Sequence, residues 1–132
     1  MSGTGRVAWI TGGATGIGLA TAEMLTERGW SVVVSSRRGE NVEEAVRKIT
    51  PKGKIEGIAL DVSKADEVEA AAKRILAVHG RIDLLVNSAG INTRHRNWPD
   101  LTREGWDQVI GINLNGLLYC MREVLPGHCH TG

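Results

Sequence analysis

The chain has 132 residues, of which 42% are hydrophobic and 23% are charged. This length and apolar content suit one domain with a buried core. Sixteen basic and 15 acidic residues give a formal net charge of +1, and no run of like charges is longer than a pair. Charge therefore argues against a nucleic-acid partner and favours a small-molecule ligand.

Cysteine content and hydropathy indicate the compartment. Cys120 and Cys129 form no C-x-x-C pair, and a chain with so few cysteines is not a disulfide scaffold. The first apolar run has only four residues, too few for a signal peptide, and no later stretch is long enough to span a membrane. We expect a cytoplasmic protein with reduced thiols and no membrane segment.

The first element is an apolar run at residues 7–10, followed by the glycine-rich segment 11–18, TGGATGIG, and a helical pattern. A strand that ends at Gly12, Gly16 and Gly18 and becomes a helix brings bare backbone and a helix N-terminus to one point. A pyrophosphate can bind there. The spacing is G-x-x-x-G-x-G and not the common G-x-G-x-x-G, so a tight turn without a ligand is the alternative.

Helical and strand patterns then alternate strictly along the chain, with a β-branched run at residues 31–35 as the clearest strand. The predicted helices are residues 17–28, 41–49, 63–79 and 102–125, and the further strands are residues 31–35, 55–60 and 82–86. This alternation predicts an α/β fold with a Rossmann-like, doubly wound parallel sheet. In the strand order 3-2-1-4, a crevice opens between the first and fourth strands.

Two of these helices carry N-cap signals. Asn41 is placed to cap the second helix, with Glu44 reaching back to it, and Ser63 with Asp66 resembles a capping box before the third helix. We therefore expect both helices to begin directly after these polar residues.

A polar loop at residues 91–100 is long for a connection and contains Arg94, His95, Arg96 and Trp98, the last of which we expect to be exposed. Such a loop often shapes a substrate mouth. A solvated connector is an equally good interpretation of the same residues.

Asn113 lies on the apolar stripe of the last predicted helix. The apolar members of that stripe are Trp106, Val109, Ile110, Leu117 and Val124. A buried amide needs a polar partner. Asn113 is therefore either a helix-packing hydrogen-bond donor and acceptor or a site residue.

Four segments in this order resemble the classical short-chain dehydrogenase/reductase family. They are TGGATGIG at residues 11–18, Asp61-Val62 after the third strand, NSAG at residues 87–90, and WDQVIGINLNG at residues 106–116. The resemblance covers about residues 6–126. It implies an NAD(P)-dependent oxidoreductase that transfers hydride between the dinucleotide and a carbonyl or alcohol. We expect a cofactor-binding domain over residues 1–126 and an irregular tail at 127–132.

The resemblance also implies site residues by position. Asp61 and Val62 would hold the adenine, and Asn113 would belong to the catalytic set by holding a water that relays protons to the catalytic lysine. The other implied cofactor-binding residues lie in the glycine-rich segment and after the fourth strand: Gly12, Thr15, Gly16, Ile17, Gly18, Asn87, Ala89 and Gly90. No metal site is expected, since the adjacent residues His128, Cys129 and His130 cannot surround an ion.

The cofactor preference depends on the end of the second strand. A carboxylate there would bind the adenosine ribose of NAD and repel a 2′-phosphate. This chain has Ser36 followed by Arg37 and Arg38, and guanidinium groups donate forked hydrogen bonds to phosphate. We therefore expect NADP to be preferred over NAD, although two loop arginines are also common on plain solvated surface.

The chain departs from the family after the asparagine helix. The family's catalytic serine and Y-x-x-x-K pair are absent, since the single tyrosine, Tyr119, is followed four residues later by Glu123 and no lysine follows Lys73. We expect a truncated, N-terminal portion without the general acid/base and therefore without activity. The alternatives are a nucleotide-binding fragment without chemistry, or a fragment that self-associates through the helix at 102–125, where Leu114, Leu118 and Leu125 lie.

Overall fold

A computed structural model of the chain describes residues 5–50, 53–91 and 97–131, with side chains up to residue 126. The strands are β1 (Val7–Thr11), β2 (Ser31–Ser36), β3 (Ile55–Ala59) and β4 (Leu84–Asn87). The helices are α1 (Gly16–Glu27), α2 (Gly39–Ile49), α3 (Ala65–His79), α4 (Arg103–Ile110), a π-helical segment (Gly111–Asn115) and α5 (Gly116–Thr131). The strands form one parallel sheet in the order β3-β2-β1-β4, which confirms the predicted order and fold class.

Helices cover both faces of β1. Val7 and Trp9 point into a core that also contains side chains of α3 and α5, whereas Ala8 and Ile10 point into a second core with α1 and α2. Successive residues of a strand face opposite sides of the sheet, so both sets are buried. The apolar run predicted to be the first strand is therefore apolar at every position because neither face meets solvent.

The carboxyl ends of the strands meet at one edge of the sheet. Thr11 is paired in register with Ser35 of β2 and with Asn87 of β4. The Ser88 N–H donates to the Thr11 carbonyl oxygen at 3.0 Å, which holds the chain beside β1 just past the end of β4. The glycine-rich segment and the segment after β4 are thus neighbours, as predicted from the strand order.

Both predicted N-caps are wrong. Helix α2 begins at Gly39 with Arg38 as the N-cap residue, so Asn41 lies inside its first turn. Helix α3 has Lys64 as its N-cap residue. The Ser63 hydroxyl instead donates to Asp61 Oδ1 at 2.6 Å, and this bond within the turn replaces the predicted cap.

The last helical region begins at Arg103, where Thr102 Oγ1 accepts a hydrogen bond from the Gly105 N–H at 3.0 Å. It continues through the π-helical segment and past Pro126 to Thr131. The predicted irregular backbone from residue 127 is therefore wrong. Pro126 lies inside this helix, although a proline there removes one backbone hydrogen bond and crowds the carbonyl of the residue four positions earlier.

The buried stripe of this region also differs from the prediction. Its buried residues follow a spacing of four: Ile112, Gly116, Cys120 and Val124. Trp106, predicted on the stripe, is 52% exposed. A π-helical turn contains more residues than an α-helical turn, so the segment rotates the side chains of α4 relative to those of α5. A prediction with a constant period of about 3.6 residues does not include this rotation.

Candidate functional site

A cleft of about 520 Å³ lies at the carboxyl edge of the sheet. This volume is within the range of small-molecule and cofactor sites. The cleft is bounded by the glycine-rich turn, the end of β2, the turn after β3 and the segment after β4. The predicted cofactor-binding residues that line it are Gly12, Thr15, Gly16, Ile17, Ser36, Arg37, Arg38, Val62, Ala89 and Gly90.

Two glycines shape the turn between β1 and α1. Gly12 has φ +67° and Gly16 has φ +57°, in the left-handed region that favours glycine. A Cβ added to Gly12 would lie 2.6 Å from the Ser88 carbonyl oxygen, whereas one added to Gly16 would meet no described atom within 4 Å. Gly16 lines the cleft, so a side chain there would occupy space beside the N-terminus of α1. This bare backbone fits an anionic group such as a pyrophosphate.

Ser35 anchors the same turn from β2. Its carbonyl oxygen accepts hydrogen bonds from the Gly12 N–H at 2.8 Å and the Gly13 N–H at 3.2 Å. Its buried hydroxyl accepts a hydrogen bond from Trp9 Nε1 at 3.1 Å. The geometry of the glycine turn is therefore fixed by a polar network inside the core.

The end of β2 makes one side of the cleft basic. Arg37 and Arg38 are exposed and line the cleft beside Ser36. No acidic side chain is among the described residues that line it. Positive charge without a carboxylate suits a phosphate group.

Three predicted cofactor-binding residues do not line the cleft. Gly18 lies against the Gly12 backbone, and Asn87 ends β4. Asp61 Oδ1 accepts hydrogen bonds from the Ser63 N–H at 3.0 Å and the Ser63 hydroxyl. Partial burial opposes ionisation of Asp61, but these hydrogen bonds and the Arg37 charge outweigh it and lower the pKa of the carboxyl.

Asn113 forms a two-point contact with the segment that follows β4. Its Oδ1 accepts a hydrogen bond from the Ile91 N–H at 2.8 Å, and its Nδ2 donates to the Ile91 carbonyl oxygen at 2.9 Å. The predicted polar partner is therefore present, although Asn113 is exposed and not buried. Ile91 lines the cleft, so Asn113 contacts the cleft wall from behind.

Some lining residues were not predicted. They are Ser35, Asn41, Leu60, Ser88, Ile91 and Ile112. Most of them adjoin a predicted motif and could have been found by extending it by one or two residues. Asn41 is different, because it lies in the first turn of α2 and was expected to be a helix cap.

Other candidates from the sequence lie away from the cleft or outside the described residues. Tyr119 packs against the core formed by α3 and α5 and does not line the cleft. Trp98 is 83% exposed, as predicted, in a short 3₁₀ turn. The loop cations Arg94, His95 and Arg96 and the side chains of residues 128–130 fall outside the described part of the chain.

Two classes of feature are absent from the described residues. Among them, no group of three or more His, Cys, Asp and Glu side chains is arranged to hold a metal ion. None of the helices in that part of the chain has the length and apolarity needed to cross a bilayer.

The sequence model for short chain dehydrogenases matches residues 6–131, nearly the whole chain. This chain belongs to the short-chain dehydrogenase family. Among curated relatives, it is 37% identical to dehydrogenase/reductase SDR family member 4 from Rattus norvegicus, an alignment that covers 92% of this chain and 44% of the relative. It is 35% identical to the 3-oxoacyl-[acyl-carrier-protein] reductase FabG from Thermotoga maritima, over 92% of this chain and 50% of that protein.

Solved structures share the fold of this chain. A metagenomic short-chain oxidoreductase in complex with NADP superposes with a TM-score of 0.92 at 34% identity, over 99% of this chain and 60% of that one. A 3-ketoacyl-(acyl-carrier-protein) reductase from Brucella melitensis complexed with NADH gives a TM-score of 0.86 at 32% identity, over 93% of this chain and 50% of that one. The chain thus spans about half the length of the curated relatives it matches, and these two neighbouring structures hold different cofactors, NADP in the first and NADH in the second.

Proposed function

We propose that the cleft binds NADP(H) and that the chain serves a short-chain oxidoreductase, which transfers hydride between this cofactor and a carbonyl or alcohol substrate. The glycine turn carries the proposal, because Gly12 and Gly16 leave bare backbone at the start of α1 beside a cleft of about 520 Å³. The cofactor supplies the hydride chemistry when bound. The residues of this chain bind and orient it.

In the proposed assignment, each wall of the cleft holds one part of the dinucleotide. The pyrophosphate binds along the turn at residues 12–18, where the first N–H groups of α1 are free of intrahelical partners. Asp61 and Val62 hold the adenine, Asn87, Ala89 and Gly90 support the ribose side, and Asn113 fixes the wall at Ile91. Val62 is 5% exposed and lines the cleft, which supports its placement against the flat face of an aromatic base.

NADP is favoured over NAD by the end of β2. Ser36 leaves room for a 2′-phosphate, and the exposed Arg37 and Arg38 provide donors for it. A hydrogen bond to a charged group contributes about 1.5 to 3 kcal/mol, so we expect Arg37→Ala to raise the Kd for NADPH about tenfold or more. The Kd for NADH should stay nearly unchanged.

The matched control is Arg47→Ala, since Arg47 is an exposed arginine in the last turn of α2 and is not among the lining residues. Both variants are titrated with NADPH and NADH by cofactor fluorescence. Equal affinity of Arg37→Ala and the unaltered chain for NADPH would remove the basis for the preference.

We further propose that the chain binds the cofactor without turning it over by itself. Its single tyrosine, Tyr119, packs into the core of α3 and α5 and away from the cleft. A phenol there cannot exchange a proton with a substrate in the cleft. NADPH oxidation should stay at the background rate with a panel of aldehydes and ketones, while NADPH binding is retained. Steady turnover would contradict this.

A second candidate function is self-association through the helical region at 102–125. Leu114, Leu118 and Leu125 are 59%, 58% and 45% exposed, and their spacing of four and seven residues places them on one side of a helix. Contiguous exposed apolar side chains mark contact surfaces. Sedimentation should show a dimer at high concentration that Leu118→Glu dissociates. Val78→Glu, at an exposed position of α3, is the control, and a monomer at all concentrations would count against the proposal.

A further inference from the structure

Helix α5 begins at Gly116, where it touches the turn that follows β3. A Cβ added to Gly116 would lie 2.6 Å from Val62 Cγ2 and 3.1 Å from the Val62 carbonyl oxygen. Carbon atoms do not approach this closely without displacement. Val62 Cβ at 3.0 Å and the carbonyl oxygen at 3.1 Å keep their positions in every Val62 rotamer. A rotamer change would therefore remove the Cγ2 overlap and leave these two tight contacts.

Helix α5 has little freedom to move away from this turn. Ile112, Cys120 and Val124 lie on the same face as Gly116 and are at most 5% exposed. They pack into the core shared with α3 and the sheet. Close-packed interiors transmit displacement, so a side chain at position 116 would push the Val62 turn toward the cleft.

The Val62 turn is part of the cleft wall. Leu60 and Val62 line the cleft on either side of Asp61. Within the turn, the Asp61 side chain is anchored by the Ser63 N–H and hydroxyl. Gly116 packs directly against the back of this wall.

We propose that Gly116 is a positioning residue for the adenine end of the cofactor site, because the absence of its side chain sets the position of Val62. This rests on the proposed function, which places the adenine at Asp61 and Val62. Gly116 touches no cofactor itself and acts only through the turn.

The test compares Gly116→Ala with Gly111→Ala. A Cβ on Gly111 would lie 3.5 Å from Ser63 Cβ, an ordinary contact, and both substitutions gain the same helix propensity. Kd values for NADPH and for 2′,5′-ADP, the half that carries the adenine, are measured by calorimetry at a temperature where circular dichroism shows folded protein. Gly116→Ala should raise both Kd values by the same factor, about fivefold or more, and Gly111→Ala should change neither.

The outcomes separate the two proposals. If the unaltered chain does not bind NADPH, the proposed function is wrong and this inference falls with it. If the unaltered chain binds and Gly116→Ala binds equally well, only the positioning role is overturned, even where the melting temperature falls.

A second measurement avoids any substitution, in case Gly116→Ala does not fold. In a backbone amide NMR titration of the unaltered chain with 2′,5′-ADP, the signals of Val62 and Gly116 should shift together. Gly80, which ends α3 at the opposite edge of the sheet, should not shift. An unmoved Gly116 signal overturns the inference.

Discussion

Replacing Asn113 by alanine removes the two hydrogen bonds that join the π-helical segment to Ile91, at 2.8 and 2.9 Å. A protein hydrogen bond contributes about 0.5 to 1.5 kcal/mol net, and the exposure of Asn113 favours the lower half of that range. The free energy of unfolding should therefore fall by about 1 to 2 kcal/mol. For a chain of this size that lowers Tm by about 4 to 8 °C.

Asn115→Ala is the matched control, because Asn115 lies two residues further in the same π-helical segment and the described part of the structure gives its side chain no such pair. Thermal unfolding is followed by circular dichroism, and NADPH binding by cofactor fluorescence. Asn113→Ala should lower Tm and weaken NADPH binding, because Ile91 lines the cleft. Equal Tm values for the two variants would refute the reasoning.

The remaining expectations concern acid stability and thiol reactivity. Burial opposes ionisation of Asp83, but the hydrogen bonds from Arg81 and the Val7 N–H outweigh it and hold its pKa below the ordinary 3.8. The contribution of ionised Asp83 to the stability of the fold is therefore fully present above pH 3.8 and is lost as the pH falls through the lower folded-state pKa. Between pH 5 and pH 2, the free energy of unfolding measured by chemical denaturation should therefore fall less in Asp83→Asn than in the unaltered chain. Parallel plots of unfolding free energy against pH for the two proteins would contradict this. Burial, with the nearby Glu123 charge, raises the pKa of the Cys120 thiol to about 12, so in a Cys129→Ser background a disulfide reagent at pH 8 should react only after unfolding, and rapid reaction of the folded chain would contradict it.

The sheet could be predicted because its signals are local. The β-branched run of β2 and the apolar run of β1 are continuous because both faces of these strands are buried. The strict alternation of strands and helices along the chain then predicts a parallel sheet. The start of α2 could not be predicted, because its N-cap residue, Arg38, makes no capping hydrogen bond. The π-helical segment changes the period within one helix and leaves no mark in a pattern of apolar residues.

The lining of the cleft is easier to predict from the sequence where it consists of glycine backbone than where it depends on which hydrogen-bond partner a side chain has. Gly12 and Gly16 line the cleft as expected, since only glycine permits that turn. Asp61 lies beside Val62, which lines the cleft, but its carboxylate accepts hydrogen bonds from Ser63, and that partner depends on three-dimensional geometry. Gly116 is one helical glycine among several in sequence, and its contact with Val62 appears only in the packed structure.

The central claim is that the bare backbone at Gly16 receives the phosphates of a nicotinamide dinucleotide. Gly16 and Gly80 both have positive φ, at +57° and +78°, and an added Cβ at either position meets no described atom within 4 Å. Alanine should therefore strain the backbone at both positions by a similar amount, about 1 kcal/mol. Calorimetric titration with NADPH should show one saturable site in the unaltered chain and in Gly80→Ala, and much weaker binding in Gly16→Ala. An unaltered chain that binds no NADPH, or a Gly16→Ala variant that binds as tightly as Gly80→Ala, would contradict the claim.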